Sequence, residues 1–294
     1  MLRIKKGPKS AQTRFVLIGL TPIMVFFLVV TVFPVLAGIV LAFFRYNLLQ
    51  THPTAFVGLE NFKKILSDSM FWLSLKNTFF YVVVIVPNIL ISSLLTALAI
   101  NPLGRKSKGL YRAFYFTPCI TSLVTVTLVW RFIYLPTGLL NNALSAIGLP
   151  TRAWLGNIET LPWAVSIMMV WQQIGYAVIM LLAGLDGVPH LFYEAAQIDG
   201  ANNWDCFWHI TLPLLRPVML FITVIMCIWS FLIFAPLKVL WAPAANTVLV
   251  LYIYNNAFKY LKLGYGSAIA VVLFILILLF TLVQMRVLRK KWEY

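Results

Sequence analysis

The 294-residue chain carries little that could act on a covalent bond. Its eight carboxylates are Glu60, Asp68, Glu159, Asp186, Glu194, Asp199, Asp205 and Glu293. They form no paired acid–base site, and no His-Glu-x-x-His pair or Gly-x-Ser-x-Gly elbow occurs. His52, His190 and His209 stand in loops with no partner at usable spacing. Cys119, Cys206 and Cys227 are too widely spaced to frame disulfides or a metal site. The nearest approach to a phosphate loop is Gly104-Arg105-Lys106-Ser107. It lacks the first glycine, has Arg where Lys is needed, and follows no strand. The residues read as non-catalytic, with no metal and no cofactor held by this chain.

What the chain does offer is polar and aromatic groups inside long apolar runs. One run holds Trp171, Gln172, Gln173 and Tyr176; another holds Thr121, Thr125 and Trp130; a third holds Trp229. Unpaired polar groups are costly in lipid, so such residues face a cavity or a neighbouring helix. Amides and hydroxyls can hydrogen-bond a sugar's hydroxyls, and flat rings can cover its C–H face. Gln172, Gln173, Tyr176, Trp171, Trp130 and Trp229 are therefore candidates for a substrate pathway. The competing use of the same residues is as interface anchors or interhelical bonds. Arg131, five residues before Pro136, is placed to snorkel to the outer interface.

The elements that must position these residues follow from composition. Hydrophobic residues make up 62% of the chain and charged ones 11%, with mean hydropathy +0.91. A soluble domain carries roughly 25% charged residues, and disorder needs low hydrophobicity, so both are excluded. Six stretches are apolar over the roughly 20 residues a span needs: 15–44, 74–100, 111–135, 161–185, 217–240 and 265–285. The first is too long for a cleavable signal peptide and lacks a small-residue cleavage site; Pro22 and Pro34 are placed to kink it. The expected fold is all-α and polytopic, with a basic N-terminus 1–14, a transmembrane domain 15–285 and a basic tail 286–294.

A net charge of +15 and a pI near 9.9 could suggest nucleic acid. The basic residues instead alternate with the spans. Segments assigned to one side hold 14 Lys and Arg, counted over Arg3, Lys5, Lys6, Lys9, Arg14, the loop after span two, Arg216 and the tail. The other side holds 6. By the positive-inside rule both termini are expected in the cytoplasm, which an even number of spans allows. None of the carboxylates lies well inside a span, so the ion-binding group common in ion-coupled carriers is missing.

The segment between spans four and five, 186–217, is the most informative. Pro189 suits a first helical position. Leu191, Ala195 and Ile198 recur at helical spacing, and Gly200 fits the left-handed residue that ends such a helix. Asn202 or Asn203 can cap a second short helix with Asp205 in its first turn, and Pro213 is expected to stop it. The product is a helix–turn–helix knob. Patterning alone fits a helix lying at the lipid headgroups, with Trp204 and Trp208 as anchors, as well as a protein-docking surface.

The run Glu194-Ala195-Ala196-Gln-Ile-Asp199-Gly200-Ala201, followed by Ile210-Thr-Leu-Pro213, resembles the EAA loop of binding-protein-dependent ABC importer permeases. The Asp-Gly-Ala form, with Phe207, Ile210, Leu212, Pro213 and Pro217 trailing it, is similar to the carbohydrate-uptake permeases related to the maltose system. Phe56-Val-Gly-Leu-Glu-Asn-Phe62, Asn77-Thr78, Leu182-Ala-Gly-Leu185, Tyr252-Ile-Tyr254 and Gly264-Tyr-Gly-Ser-Ala268 agree. The resemblance runs from about residue 15 to 285 and implies a type I importer permease fold in a bacterial or archaeal plasma membrane. It implies a second homologous permease, two ATPase subunits that bind ATP and Mg, and an external solute-binding protein as partners, with membrane lipid around the chain and no nucleic acid. Glu194, Ala195, Ala196, Asp199, Gly200 and Ala201 would form the helix that couples to the ATPase. The implied substrate is an oligosaccharide, with a polyol or glycerol 3-phosphate as the alternative within the resemblance and an ion-coupled carrier outside it. Where family members often have Gly-Gly-Pro before the last external loop, this chain has Trp241-Ala-Pro243.

Overall fold

The computed structural model describes residues 9–48 and 54–288. Arg3, Lys5, Lys6, His52, Arg289, Lys290, Lys291 and Glu293 lie outside the described residues. In chain order the helices are α1 (Lys9–Phe27), α2 (Phe33–Leu41), α3 (Glu60–Ser67), α4 (Ser69–Ile100), α5 (Arg105–Ile120), α6 (Leu123–Ile133) and α7 (Leu139–Ala146). Then follow α8 (Leu161–Asp186), α9 (His190–Ile198), α10 (Asn203–Cys206), α11 (Leu212–Phe231), α12 (Ala235–Val239), α13 (Leu249–Tyr254) and α14 (Leu263–Leu288). The only strands among the described residues are β1 (Phe44–Arg45) and β2 (Ala55–Phe56), paired antiparallel with Phe44 opposite Phe56.

The chain falls into two compact units, 1–67 with 253–272 and 68–252 with 273–294. In the first, a continuous helical run Thr13–Leu41 is apolar all round and exposed along its length. Pro22 is accommodated within α1, and a π turn at Leu28–Val32 precedes Pro34. Such a surface is stable only against lipid or another protein. Below it, buried Asn61 donates to the carbonyls of Ala42 (2.8 Å) and Phe44 (3.0 Å), tying α3 to the end of the run. Glu60 pairs with Arg45 at 2.9 Å and Lys64 at 3.2 Å, and these cations, Lys64 foremost, hold its carboxyl below the usual carboxylate range.

In the second unit α8 packs on both α4 and α5, and α11 packs on α4. The buried face of α4 shows why. Phe71, Ser74, Thr78, Tyr81, Ile85, Ile89, Ser93, Ala97 and Ile100 recur at steps of three and four, which places them on one side of a helix. Between apolar helices in lipid, association rests on close packing and polar contacts rather than on water exclusion, so small residues at the seam are expected. Gly175 takes this furthest: a Cβ there would lie 1.8 Å from the Tyr115 carbonyl oxygen. Only glycine lets α5 and α8 approach so closely.

Among the described residues, five helical runs are long and apolar enough to cross a membrane: Thr13–Leu41, Ser69–Ile100, Leu161–Asp186, Asn203–Val239 and Leu263–Val287. The stretch 111–135, read from the sequence as one span, is two helices meeting at 96°. A sixth span exists only if this bent pair is counted as one. The break has a local cause. Pro118 removes an amide donor in the last turn of α5, and Thr121 and Ser122 are extended.

Pro213, expected from the sequence to end the helix after the knob, lies inside a continuing one. Here α10, a π turn at Phe207–Thr211 and α11 run on into span five, with Pro213 in the first turn of α11. The wider π turn, in which the Leu212 amide donates to the Phe207 carbonyl, makes room for a residue without an N–H. Pro189 is also one residue outside its expected place, serving as the N-cap of α9.

Candidate functional site

The knob is built from two interlocking end-structures. At the C-terminus of α9 the Ala201 amide donates to the Ala196 carbonyl (2.9 Å) and the Gly200 amide to the Gln197 carbonyl (3.1 Å). This is the Schellman pairing, and Gly200 takes the left-handed φ of +84° that it requires. Immediately after, Asn202 Oδ1 accepts from the amides of Trp204 (2.8 Å) and Asp205 (3.0 Å), while the Asn202 amide donates to Asp205 Oδ2 (3.1 Å). That reciprocal capping box starts α10. Tyr193 and Thr211 hydroxyls share a 2.9 Å hydrogen bond that fastens α9 to the root of span five.

Most apolar residues of α9 find no cover among the described residues. Leu191, Phe192 and Ile198 are exposed, Ile198 to 86%, as are Trp204 and Trp208 on the next turn. Glu194, Ala195, Asp199 and Gly200 are exposed beside them, and Ala196 and Ala201 are half-buried. A rigid helix with an uncovered apolar stripe and small residues can admit a partner at close range.

One feature of this region left no trace in the sequence. Asp186, the last residue of α8, accepts from Arg112 at 2.7 Å and from Lys108 at 3.4 Å, and Lys108 also donates to Asn101 Oδ1 at 3.0 Å. These partners stand 74 and 78 residues from Asp186. Spacing rules reach only a few residues along a helix, so only the tertiary fold reveals the cluster.

The six pathway candidates separate into two groups. Gln172 is buried; its Nε2 donates to the Thr121 carbonyl (3.4 Å) and its Oε1 accepts from Gln173 (3.2 Å). The Cys119 thiol donates to the Gln172 carbonyl at 2.9 Å. These bonds fasten α8 to the break between α5 and α6. Trp171 and Trp130 stand next to it, ring centroids 5.5 Å apart. Trp171 also lines a cleft of about 410 Å³ with Phe114, Thr117, Pro118 and Thr121. Tyr176 and Trp229 form a separate pair across α8 and α11, with centroids 5.7 Å apart. Phe114 and Thr117 were not singled out in the sequence, although Pro118 beside them marks the break that opens the cleft.

The loop after span five carries a second Schellman turn. The Ala242 amide donates to the Leu237 carbonyl (3.0 Å) and the Trp241 amide to the Lys238 carbonyl (3.4 Å). Trp241 occupies the left-handed position with φ +54° and is 83% exposed. Trp241 thus takes under strain a position that glycine would hold without it.

Comparison with known proteins agrees with this architecture. The chain is 35% identical over 272 residues to the probable ABC transporter permease protein YesP of Bacillus subtilis, covering 90% of this chain and 87% of that protein. It is 31% identical to the arabinooligosaccharides transport system permease protein AraP of the same species, covering 90% and 85%. Its fold matches the crystal structure of a bacterial alginate ABC transporter in complex with an alginate pentasaccharide-bound periplasmic protein, with a TM-score of 0.83 over 97% of this chain and 99% of that one, at 23% identity. Residues 75–294 match the family described as binding-protein-dependent transport system inner membrane component. The chain belongs to that family, as a multi-pass permease subunit of an ABC importer whose ATPase is a separate subunit.

Proposed function

We propose that this chain forms one half of the translocation pathway for an oligosaccharide delivered by an external binding protein, and that α9 with Gly200 is its coupling helix. The observation that carries the coupling assignment is the uncovered Leu191, Ala195 and Ile198 stripe on a helix whose own end is fully capped. Glu194 beside it supplies one charge for orientation. The similarity to an arabino-oligosaccharide permease supports the substrate class. The pathway residues are Trp130, Trp171, Gln172, Gln173, Tyr176 and Trp229, with the two glutamines holding the wall and the aromatic residues meeting the sugar. A second homologous permease, two ATPase subunits binding ATP and Mg, and a solute-binding protein complete the machine. The 101–110 loop, the knob and the tail face the cytoplasm; 45–73, 136–160 and 241–264 face outward.

A cysteine in place of exposed Gln197 tests the docking surface. Gln197→Cys permease, co-expressed with ATPase carrying single cysteines along its docking cleft, should cross-link through a short bismaleimide at one of them. Absence of any permease–ATPase product, with lipid-soluble reagents labelling position 197 instead, would overturn the coupling assignment in favour of a membrane-surface helix.

A further inference from the structure

At one end of α4 and α8 lies a pocket of about 190 Å³, distinct from the cleft beside Trp171. Its walls are fixed by bonds of the 244–247 turn. Asn77 Nδ2 donates to the carbonyls of Ala245 (2.7 Å) and Thr247 (2.9 Å), and Asn246 Nδ2 donates to the Ile158 carbonyl (2.9 Å). Two of the residues that line it carry a buried polar atom with no hydrogen-bond partner among the described residues: the Tyr81 hydroxyl and Asn246 Oδ1. Both residues are deeply buried, at 1% and 3% exposure. Leaving such groups unpaired is unfavourable, and native proteins rarely do so without a ligand or water in place.

The remaining lining states what the ligand must be. Lys76 can only donate, Glu159 and Asn246 Oδ1 can only accept, and the Tyr81 hydroxyl can do either. Neither Lys76 nor Glu159 is paired elsewhere among the described residues. Opposite charges and mixed donors at one small site do not select an anion or a cation. They suit a neutral molecule whose groups both donate and accept, which is the property of hydroxyls. Phe80 and Trp163, edge to face at 5.1 Å, add an aromatic wall for C–H groups. The volume admits one ring. We propose that this pocket binds a single ring of a neutral saccharide on the outward side, as an entry subsite ahead of the cleft between the spans.

This inference rests on the saccharide-importer reading, so the experiment separates the two. The assembled permease–ATPase complex in nanodiscs is examined by saturation-transfer NMR with arabinotriose and with lactose, in wild-type and Tyr81→Phe forms. Tyr81→Phe removes only the hydroxyl. The lost hydrogen bond should weaken binding about three- to tenfold, with the melting temperature unchanged or raised because an otherwise unpaired group is gone. Equal signals from wild type and Tyr81→Phe would overturn the subsite. So would no transfer from either sugar, which leaves a pocket holding water. ATP-driven uptake of the same sugars by wild type is measured alongside. Uptake without the Tyr81 effect removes the subsite alone, whereas no ATP-driven uptake of any saccharide removes the importer reading.

Discussion

Replacing Gly200 by valine perturbs the proposed coupling helix without touching its packing. A Cβ at position 200 meets no atom within 4 Å, so there is no clash to relieve. The cost is confined to the backbone, where φ is +84°. A left-handed conformation disfavours an L side chain by roughly 1–2 kcal/mol. That acts on a turn closed by only two hydrogen bonds, at 2.9 and 3.1 Å, and shifts the local equilibrium roughly 5- to 30-fold toward an opened end. The residues of α9 are exposed or half-buried, so the core around Tyr81, Ile85 and Leu182 is not reached. Gly200→Val should therefore insert and accumulate at near wild-type levels. It should lose the ATPase during affinity purification and lose hydrolysis stimulated by loaded binding protein. Gly200→Asn, which tolerates the left-handed region, should keep a substantial part of both. Co-purification of the ATPase with Gly200→Val, together with wild-type stimulated hydrolysis, would rule out α9 as the coupling helix. A helix lying in the lipid headgroups gives the reverse pattern, with sensitivity concentrated at Trp204 and Trp208.

Three further outcomes follow from particular contacts. Gly175→Ala places a methyl 1.8 Å from the Tyr115 oxygen, so α5 and α8 must separate; overpacking of this kind costs roughly 1–3 kcal/mol, and the melting temperature in detergent should fall accordingly. Trp241→Gly releases the strain of a left-handed tryptophan but frees the unfolded chain, for a net gain of about 0.5–1 kcal/mol; a melting temperature below wild type would show that Trp241 is held by contacts instead. A cysteine at Ser107, in a background without native cysteines, should resist impermeant maleimide in intact cells and react after the membrane is opened if, as proposed from the Lys and Arg content, the loop after span two faces the cytoplasm; labelling from outside would invert the topology.

The parts of the fold that were legible in the sequence are those governed by local rules. Gly200 is left-handed, Asn202 caps the following helix with Asp205 in its first turn, and the apolar runs at 74–100 and 161–185 are helices within a few residues of their ends. Each of these depends on neighbours in the chain. What hydropathy and spacing passed over has for the most part the opposite character. The 96° bend at Thr121 has a local mark in Pro118, but hydropathy averaged over 111–135 carries no direction and passes over it. Pro213 looks like a stop only if the helix must remain α, and a π turn removes that premise. The bonds that join the Gln172 amide to Thr121 and Gln173 are ones no pattern of spacing foretells, and its place in the pathway stands as a proposal. The Asp186 cluster and the Tyr81 hydroxyl, unpaired among the described residues, are likewise products of distant segments brought together.

The most direct test of the account is the energy source of transport. The permease is reconstituted with its partner permease and ATPase subunits in proteoliposomes, with binding protein and radiolabelled arabinotriose outside. The account predicts accumulation that requires ATP and Mg in the lumen, where the knob of the correctly oriented complexes lies, and that is unchanged by protonophores and sodium ionophores. Uptake without ATP that collapses on adding an ionophore would contradict it.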